Sequence, residues 1–184
     1  TISGNLTPCV GSTGNICTTE AGMSGYTWSI SAGGTVTAGG TAADNSITIT
    51  WNAAGAQTVG VNYTNGSGCT AASATIKNIT VNTLPVPTIT GSASPCIGNT
   101  TYTTEVGKSA YTWSVSAGGT ITLGAGTNQI TVNWSTSGAQ TVSVNYADAN
   151  GCSASSPTIK PVTVNPATVP VIAGSVTECA GSAG

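Results

Sequence analysis

The chain has 184 residues with three Lys, five Asp or Glu and no His, Arg or Phe, so only 4% are charged against about 25% in an ordinary soluble domain. A net charge of −2 leaves no basic surface for phosphates, which excludes nucleic-acid binding. Scattered carboxylates without a histidine leave most acid–base, nucleophilic and metal chemistry without its parts, so neither catalysis nor a cofactor is expected. No apolar run nears the roughly 20 residues of a membrane helix. Thr1 stands inside a folded pattern, so a removed leader would leave no trace.

In chain order the apolar residues alternate with period two. Tyr26, Trp28 and Ile30 alternate with Thr27 and Ser29, then Ile47, Ile49 and Trp51 with Thr48 and Thr50, then Val59, Val61 and Tyr63 with Gly60 and Asn62. Gly-Gly, Asn-Gly and Ser-Gly pairs punctuate these runs as turns. Such a pattern predicts half-buried antiparallel strands. After the connector Thr83-Leu84-Pro85-Val86-Pro87 the pattern starts again. Strands are expected near residues 87–91, 100–106, 110–116, 120–123, 129–134, 140–146 and 158–165. Tyr102, Trp113, Ile130, Val132, Val142, Val144, Val162 and Val164 are expected to face inward.

The restart is an internal repeat. Tyr26-Thr27-Trp28-Ser29-Ile30-Ser31-Ala32-Gly33-Gly34-Thr35 matches Tyr111-Thr112-Trp113-Ser114-Val115-Ser116-Ala117-Gly118-Gly119-Thr120. Trp51 matches Trp134, Gly68-Cys69 matches Gly151-Cys152, and Cys9 recurs as Cys96 and Cys179. The expected division is 1–84 and 85–167 as two full units and 168–184 as the truncated start of a third, a fragment of a longer array. Pro-rich connectors favour a semi-rigid link. The fold class expected is all-β: tandem immunoglobulin-like sandwiches of about seven strands each, arranged as a rod.

The strings Cys96-Ile97-Gly98-Asn99-Thr100-Thr101-Tyr102, Tyr111-Thr112-Trp113-Ser114-Val115 and Gly151-Cys152-Ser153-Ala154-Ser155, together with the stretch ending at Trp134, resemble the PKD-like repeats of large Bacteroidetes surface adhesins. The resemblance implies export by type IX secretion, an extracellular or cell-surface location and a spacer role in a stalk or filament. The first unit departs from it where Cys17 stands in place of Tyr102.

Matched cysteines without zinc spacing or histidine point to disulfides. Cys9, Cys69, Cys96, Cys152 and Cys179 are the candidates. One reading pairs Cys9 with Cys69 and Cys96 with Cys152. The other places the early cysteine at one end of a sandwich and the late one at the opposite end. It therefore joins Cys9 to Cys152 across the connector and leaves the others to units beyond. The second is slightly favoured, because two cysteines more than about 7 Å apart at Cα cannot bond. Cys17 is expected to be a free buried thiol rather than a partner of Cys9.

Other features have ordinary readings. Trp28, Trp51, Trp113, Trp134, Tyr63 and Tyr146 are in phase with aliphatic residues, so they are expected in the core rather than as sugar-stacking platforms. Glu20 and Glu105 with Lys77 and Lys160 suggest partly exposed ion pairs, or unrelated solubilising charges, more than Asn–Lys isopeptide bonds involving Asn62, Asn145, Asn82 or Asn165. Asp44, Asp148 and Asn150 suit turns better than a calcium loop. The Thr rows are short, and the Asn-x-Ser/Thr triplets matter only where the source glycosylates Asn. The function expected is a non-catalytic structural segment of an adhesin or extracellular fibre. Its partners are neighbouring repeats of the same chain, with other copies of the fibre or surface glycans as further partners it admits. The alternative is a glycan- or protein-binding module of an adhesin or secreted hydrolase.

Overall fold

The structure is a computed structural model, and it describes residues 1–174. Cys179 and most of the expected third unit lie outside the described residues. Among the described residues there are thirteen strands and no helix. The first seven are β1 (Ser3–Gly4), β2 (Asn15–Thr18), β3 (Ser24–Ile30), β4 (Gly34–Gly39), β5 (Ser46–Trp51), β6 (Gly55–Thr64) and β7 (Thr75–Val81). The next six are β8 (Gly98–Thr103), β9 (Ser109–Val115), β10 (Gly119–Leu123), β11 (Gln129–Trp134), β12 (Gly138–Ala147) and β13 (Thr158–Val164).

Each set forms two sheets. The first has the orders β1-β2-β5-β4 and β3-β6-β7, and the second has β10-β11-β8 and β13-β12-β9. The pairing between these strands is antiparallel. This is an immunoglobulin-like sandwich in duplicate. The alternation read from the sequence puts one face of each strand between the sheets: Ile47, Ile49 and Trp51 on β5 meet Val59, Val61, Ile79 and Val81 from the opposite sheet. Tyr102, Ile130, Val132, Trp134, Val142, Val162 and Val164 form the second core. Burial of apolar area at roughly 25 cal/mol per Å² is what holds each pair of sheets together.

Two expectations are corrected. The expected strand at residues 87–91 reduces to one isolated bridge between Thr90 and Thr103. The backbone leaves that edge almost at once and crosses to the other sheet, where the bridge Cys96–Asn165 runs parallel to the end of β13. The strand expected to reach residue 106 stops at Thr103. Beyond it Thr104 turns its hydroxyl to the Glu105 carboxylate at 2.6 Å.

Depth within the core also differs from phase alone. Trp51, Trp134 and Tyr146 are buried, but Trp28, Trp113 and Tyr63 are only half-buried. Trp28 and Trp113 lie at the rim, where each indole N–H donates to a loop carbonyl, of Asp44 at 2.9 Å and of Thr127 at 2.8 Å. Tyr63 lies at the rim too, with its hydroxyl donating to Glu20 at 3.1 Å. At these three positions the ring's polar tip finds its partner at the margin of the core.

One backbone position breaks the usual rule. Ala110, entering β9, has φ 50°, and the matching residue of the first copy is Gly25 at φ 62°. A Cβ disfavours that left-handed conformation by roughly 1 kcal/mol, partly offset by the greater unfolded-state freedom of glycine. Ala110→Gly is expected to stabilise the second sandwich by about 0.5–1 kcal/mol, and Gly25→Ala to destabilise the first similarly. Urea denaturation of both variants measures it; a loss of stability in Ala110→Gly contradicts it.

Candidate functional site

Cys9, Cys69, Cys96 and Cys152 are the reactive side chains that the sequence matches between the two copies, and backbone pairing fixes where they sit. After β1 the chain crosses to the second sheet and runs parallel to the end of β7. The Thr80 amide donates to Leu6 at 2.8 Å, Asn82 to Pro8 at 2.8 Å, and Val10 to Asn82 at 2.8 Å. Cys9 is bridged to Asn82, just past the last residue of β7, so it stands where the chain leaves the first sandwich. The second copy repeats the arrangement. Asn165 donates to Pro95 at 2.7 Å, Ile97 to Asn165 at 2.9 Å, and Cys96 stands where Cys9 does. The side-chain amides of Asn82 and Asn165 complete it by donating to Thr7 at 3.0 Å and Ser94 at 3.1 Å.

The late cysteines occupy the opposite end. In the β12–β13 turn the Asp148 carboxylate accepts from the amides of Asn150 and Cys152, both at 2.9 Å. The Asp148 amide donates back to the Cys152 carbonyl at 2.9 Å. Asn65 does the same work in the β6–β7 turn, accepting from Ser67 at 3.0 Å and Cys69 at 2.9 Å. These are Asx turns that close a hairpin and hold the cysteine at its tip.

Between this tip and the exit end of the same sandwich lies a seven-residue strand. At about 3.3 Å per residue that is roughly 20 Å, which separates the two cysteines of one copy far beyond bonding reach. The structure instead joins Cys9 to Cys152, with Cα atoms 5.7 Å apart and a sequence separation of 143. Cys152 is buried in the junction. A cleft of about 420 Å³ beside the bond is lined by Val10 and Leu84 from one side and Gly151 and Ser153 from the other. Thr158 donates at 2.7 Å to the carbonyl of Pro87 in the connector. The exit end of the first sandwich and the entrance end of the second thus meet in one covalent contact.

Cys17, Cys69 and Cys96 carry free thiols. Cys17 is buried among the aromatic and aliphatic residues of the first core, and burial pushes its thiol up, opposed in part by the charge of Lys77. Such a thiol is inert. Cys69 and Cys96 are exposed.

The matched carboxylates pin the start of each copy. Glu105 accepts from the hydroxyl of Thr88 at 2.7 Å and from its amide at 3.1 Å. Burial pushes its carboxyl up, but hydrogen bonds from Thr104, from Thr88 and from its own amide outweigh that and hold it at about 2. Glu20 takes the same place against Thr1 and Thr19. The N-terminal amino group first, and then the Thr19 hydroxyl, keep it well below the usual carboxylate range. Of the two ordinary readings of these charges, pairing with Lys77 and Lys160 is not seen: among the described residues the one ion pair is that of Glu20 with the N-terminal amino group, which leaves unrelated charges as the reading that stands. Lys77 and Lys160 project from the inward phase of β7 and β13 and are half-buried. The asparagines considered for cross-links are occupied in holding loops; the Asn62 and Asn145 amides each donate at 2.9 Å, to Ala71 and Ala154. Among the described residues no group of three or more His, Cys, Asp or Glu converges as a metal site. Asp44 accepts from the amide and hydroxyl of Thr41, as a turn residue does.

A family model described as the PKD-like domain matches residues 1–78 and again residues 82–162. The chain belongs to the PKD-like domain family. No curated protein matches it. Among solved structures, the D00–D0 domains of intimin are 17% identical over 90% of this chain and all of that one, with a TM-score of 0.40. Fibronectin(III)-like modules of CbhA from Clostridium thermocellum are 15% identical over 95% of this chain and all of that one, at 0.42. The Escherichia coli adhesin FdeC is 18% identical over 90% of this chain and 63% of that one, at 0.41.

The junction was only partly visible in the sequence. The matched asparagines Asn82 and Asn165 were considered only as cross-link partners, not as the residues that hold Cys9 and Cys96 in place. Their signal was present, since each follows the last inward valine of its copy, Val81 or Val164.

Proposed function

We propose that this PKD-like chain is a stretch of an extracellular adhesin-type stalk or fibre, with residues 1–84 and 85–167 as successive units and 168–184 opening a third. In this reading it serves mechanically, as a stiff, inert spacer exported by type IX secretion, and not as the recognising tip. The observation that carries it is the Cys9–Cys152 bond, which ties the exit end of one sandwich to the entrance end of the next. A Pro-bearing connector alone permits bending, whereas a second covalent link a few residues away removes it. A disulfide of this kind also belongs to an oxidising compartment, outside the cytosol.

The core geometry supports the spacer reading over the glycan-binding one. Trp51 and Trp134 are enclosed between sheets and have no ring face to offer a sugar. The turns that a recognition module would diversify instead repeat between copies, down to the Asx hydrogen bonds of Asn65 and Asp148. Small-angle scattering of the oxidised chain and of the Cys9→Ser variant tests the reading. The oxidised chain is expected to be a rod of fixed maximum dimension, and the variant a broader distribution bending at residues 83–87. A compact, folded-back pair of sandwiches in the oxidised chain contradicts the stalk.

A further inference from the structure

The observed bond consumes one cysteine from each copy and leaves the complementary one unused. Cys96 stands on the exit end of the second sandwich in the same backbone setting as Cys9, with the parallel bridge to Asn165 and the Pro95 and Ile97 hydrogen bonds reproduced. Cys69 stands on the entrance end of the first sandwich, at the tip of the same Asx-closed hairpin that presents Cys152. Both are exposed thiols. The bonded pair differs from the free pair only in having a neighbour.

From this we infer that Cys96 and Cys69 are the two halves of the same end-to-end bond, each awaiting a flanking PKD-like unit. Cys96 takes the hairpin cysteine of the unit that follows, and Cys69 the exit-end cysteine of the unit that precedes. The inference rests on the reading of the chain as part of a tandem array and names the partner at each end. The bridges then overlap: every unit is held to both neighbours, through its hairpin tip on one side and, on the other, through the early segment that runs beside its last strand. The array becomes a covalent ladder in which no single connector bears the load alone.

Bond formation needs a two-electron oxidant, here a low-molecular-weight disulfide such as oxidised glutathione. A Cys96 thiolate attacks one glutathione sulfur, breaking its S–S bond and releasing one glutathione thiolate. The Cys69 thiolate of the neighbour then attacks Cys96 Sγ in the mixed disulfide and expels the second. Two protein thiols become one disulfide, and the two electrons and two protons leave in two glutathione thiols.

A second copy of the chain serves as the neighbour in the test. In a Cys179→Ser background, Cys69→Ser and Cys96→Ser proteins are incubated with oxidised glutathione separately and as an equal mixture. Each alone keeps one exposed end and is expected to stay monomeric. The mixture is expected to form disulfide dimers at least about tenfold in excess of either alone, the mark of selective pairing. Peptide mapping should find Cys69 joined to Cys96. Equal dimer in all three samples, through Cys69–Cys69 and Cys96–Cys96 links, overturns the inference, and so does no dimer in any. Both variants retain Cys9 and Cys152, so the same map distinguishes the two failures. If the Cys9–Cys152 peptide is present, only the ladder fails; if it is absent, the stalk reading fails with it.

Discussion

Stretched from its two ends, the oxidised chain is expected to be shorter than the reduced chain by about 500 Å of contour length. The bond joins positions 143 residues apart, and an extended chain spans at most about 3.6 Å per residue. Force entering at the N-terminus reaches Cys9, passes through the disulfide to Cys152 and leaves through β13. Strands β2 to β12 lie inside the closed loop and carry no tension. Only residues before Cys9 and after Cys152 can be pulled straight, so the oxidised chain should show β13 peeling and no complete sandwich unfolding. After reduction both sandwiches should unfold in the ordinary way. Single-molecule pulling with and without reductant measures the difference, and equal contour lengths would remove the mechanical role of the bond.

The same bond is expected to raise equilibrium stability. Closing a loop of this size removes denatured-state entropy worth about 5 kcal/mol on the chain-entropy account, the upper end of what disulfides deliver. The share felt by each sandwich depends on whether they unfold together. That coupling is what distinguishes a stapled array from independent beads, whose stability is a sum of unit and interface contributions.

How much of this was legible in the sequence depends on which physical rule each element obeys. Strands β11, β12 and β13 are stretches where period-two alternation and burial agree. Ile130, Val132 and Trp134 face inward as read, and so do Val142, Val144, Val162 and Val164. The first strand of each copy was poorly legible because it is barely a strand: two residues at Ser3–Gly4, one bridge at Thr90, then a change of sheet. Its polar backbone groups find partners in two different sheets, and no alternation of side chains records that. Trp28 and Trp113 show a second limit, since period gives the face a residue points to but not its depth. The cysteines were more legible than the strands around them. Their placement followed from opposite ends of one sandwich being a full strand length apart, a matter of geometry and not of side-chain pattern.

The matched Gly-Gly pairs show a third limit, and they carry the other large expected effect. Gly33-Gly34 and Gly118-Gly119 were read as turn signals, but the second glycine of each is a packing requirement. Gly119 pairs across the sheet with Trp134, and Gly34 with Trp51. A Cβ on Gly119 would lie 2.6 Å from the Cε3 and Cζ3 atoms of Trp134 and 3.0 Å from Val132 Cγ1; on Gly34 it would lie 2.8 Å from the same atoms of Trp51. The missing side chain is the space in which the indole lies flat across its neighbour strand. Trp134 is completely buried and enclosed by Tyr102, whose ring meets it edge-on with centroids 6.4 Å apart, so it has nowhere to retreat. Gly119→Ala is therefore expected to cost about 3 kcal/mol, the upper range for overpacking a filled core. For a sandwich of this size that lowers the melting temperature by roughly 10–20 °C. Gly126→Ala is the control, since nothing lies within 4 Å of the added carbon, and a surface change of that kind stays within about 0.5 kcal/mol. Thermal unfolding of both variants decides the point. If Gly119→Ala melts with the Gly126→Ala control, the indole is not held by its neighbours, and the rigid core on which the spacer reading depends is absent from the second sandwich.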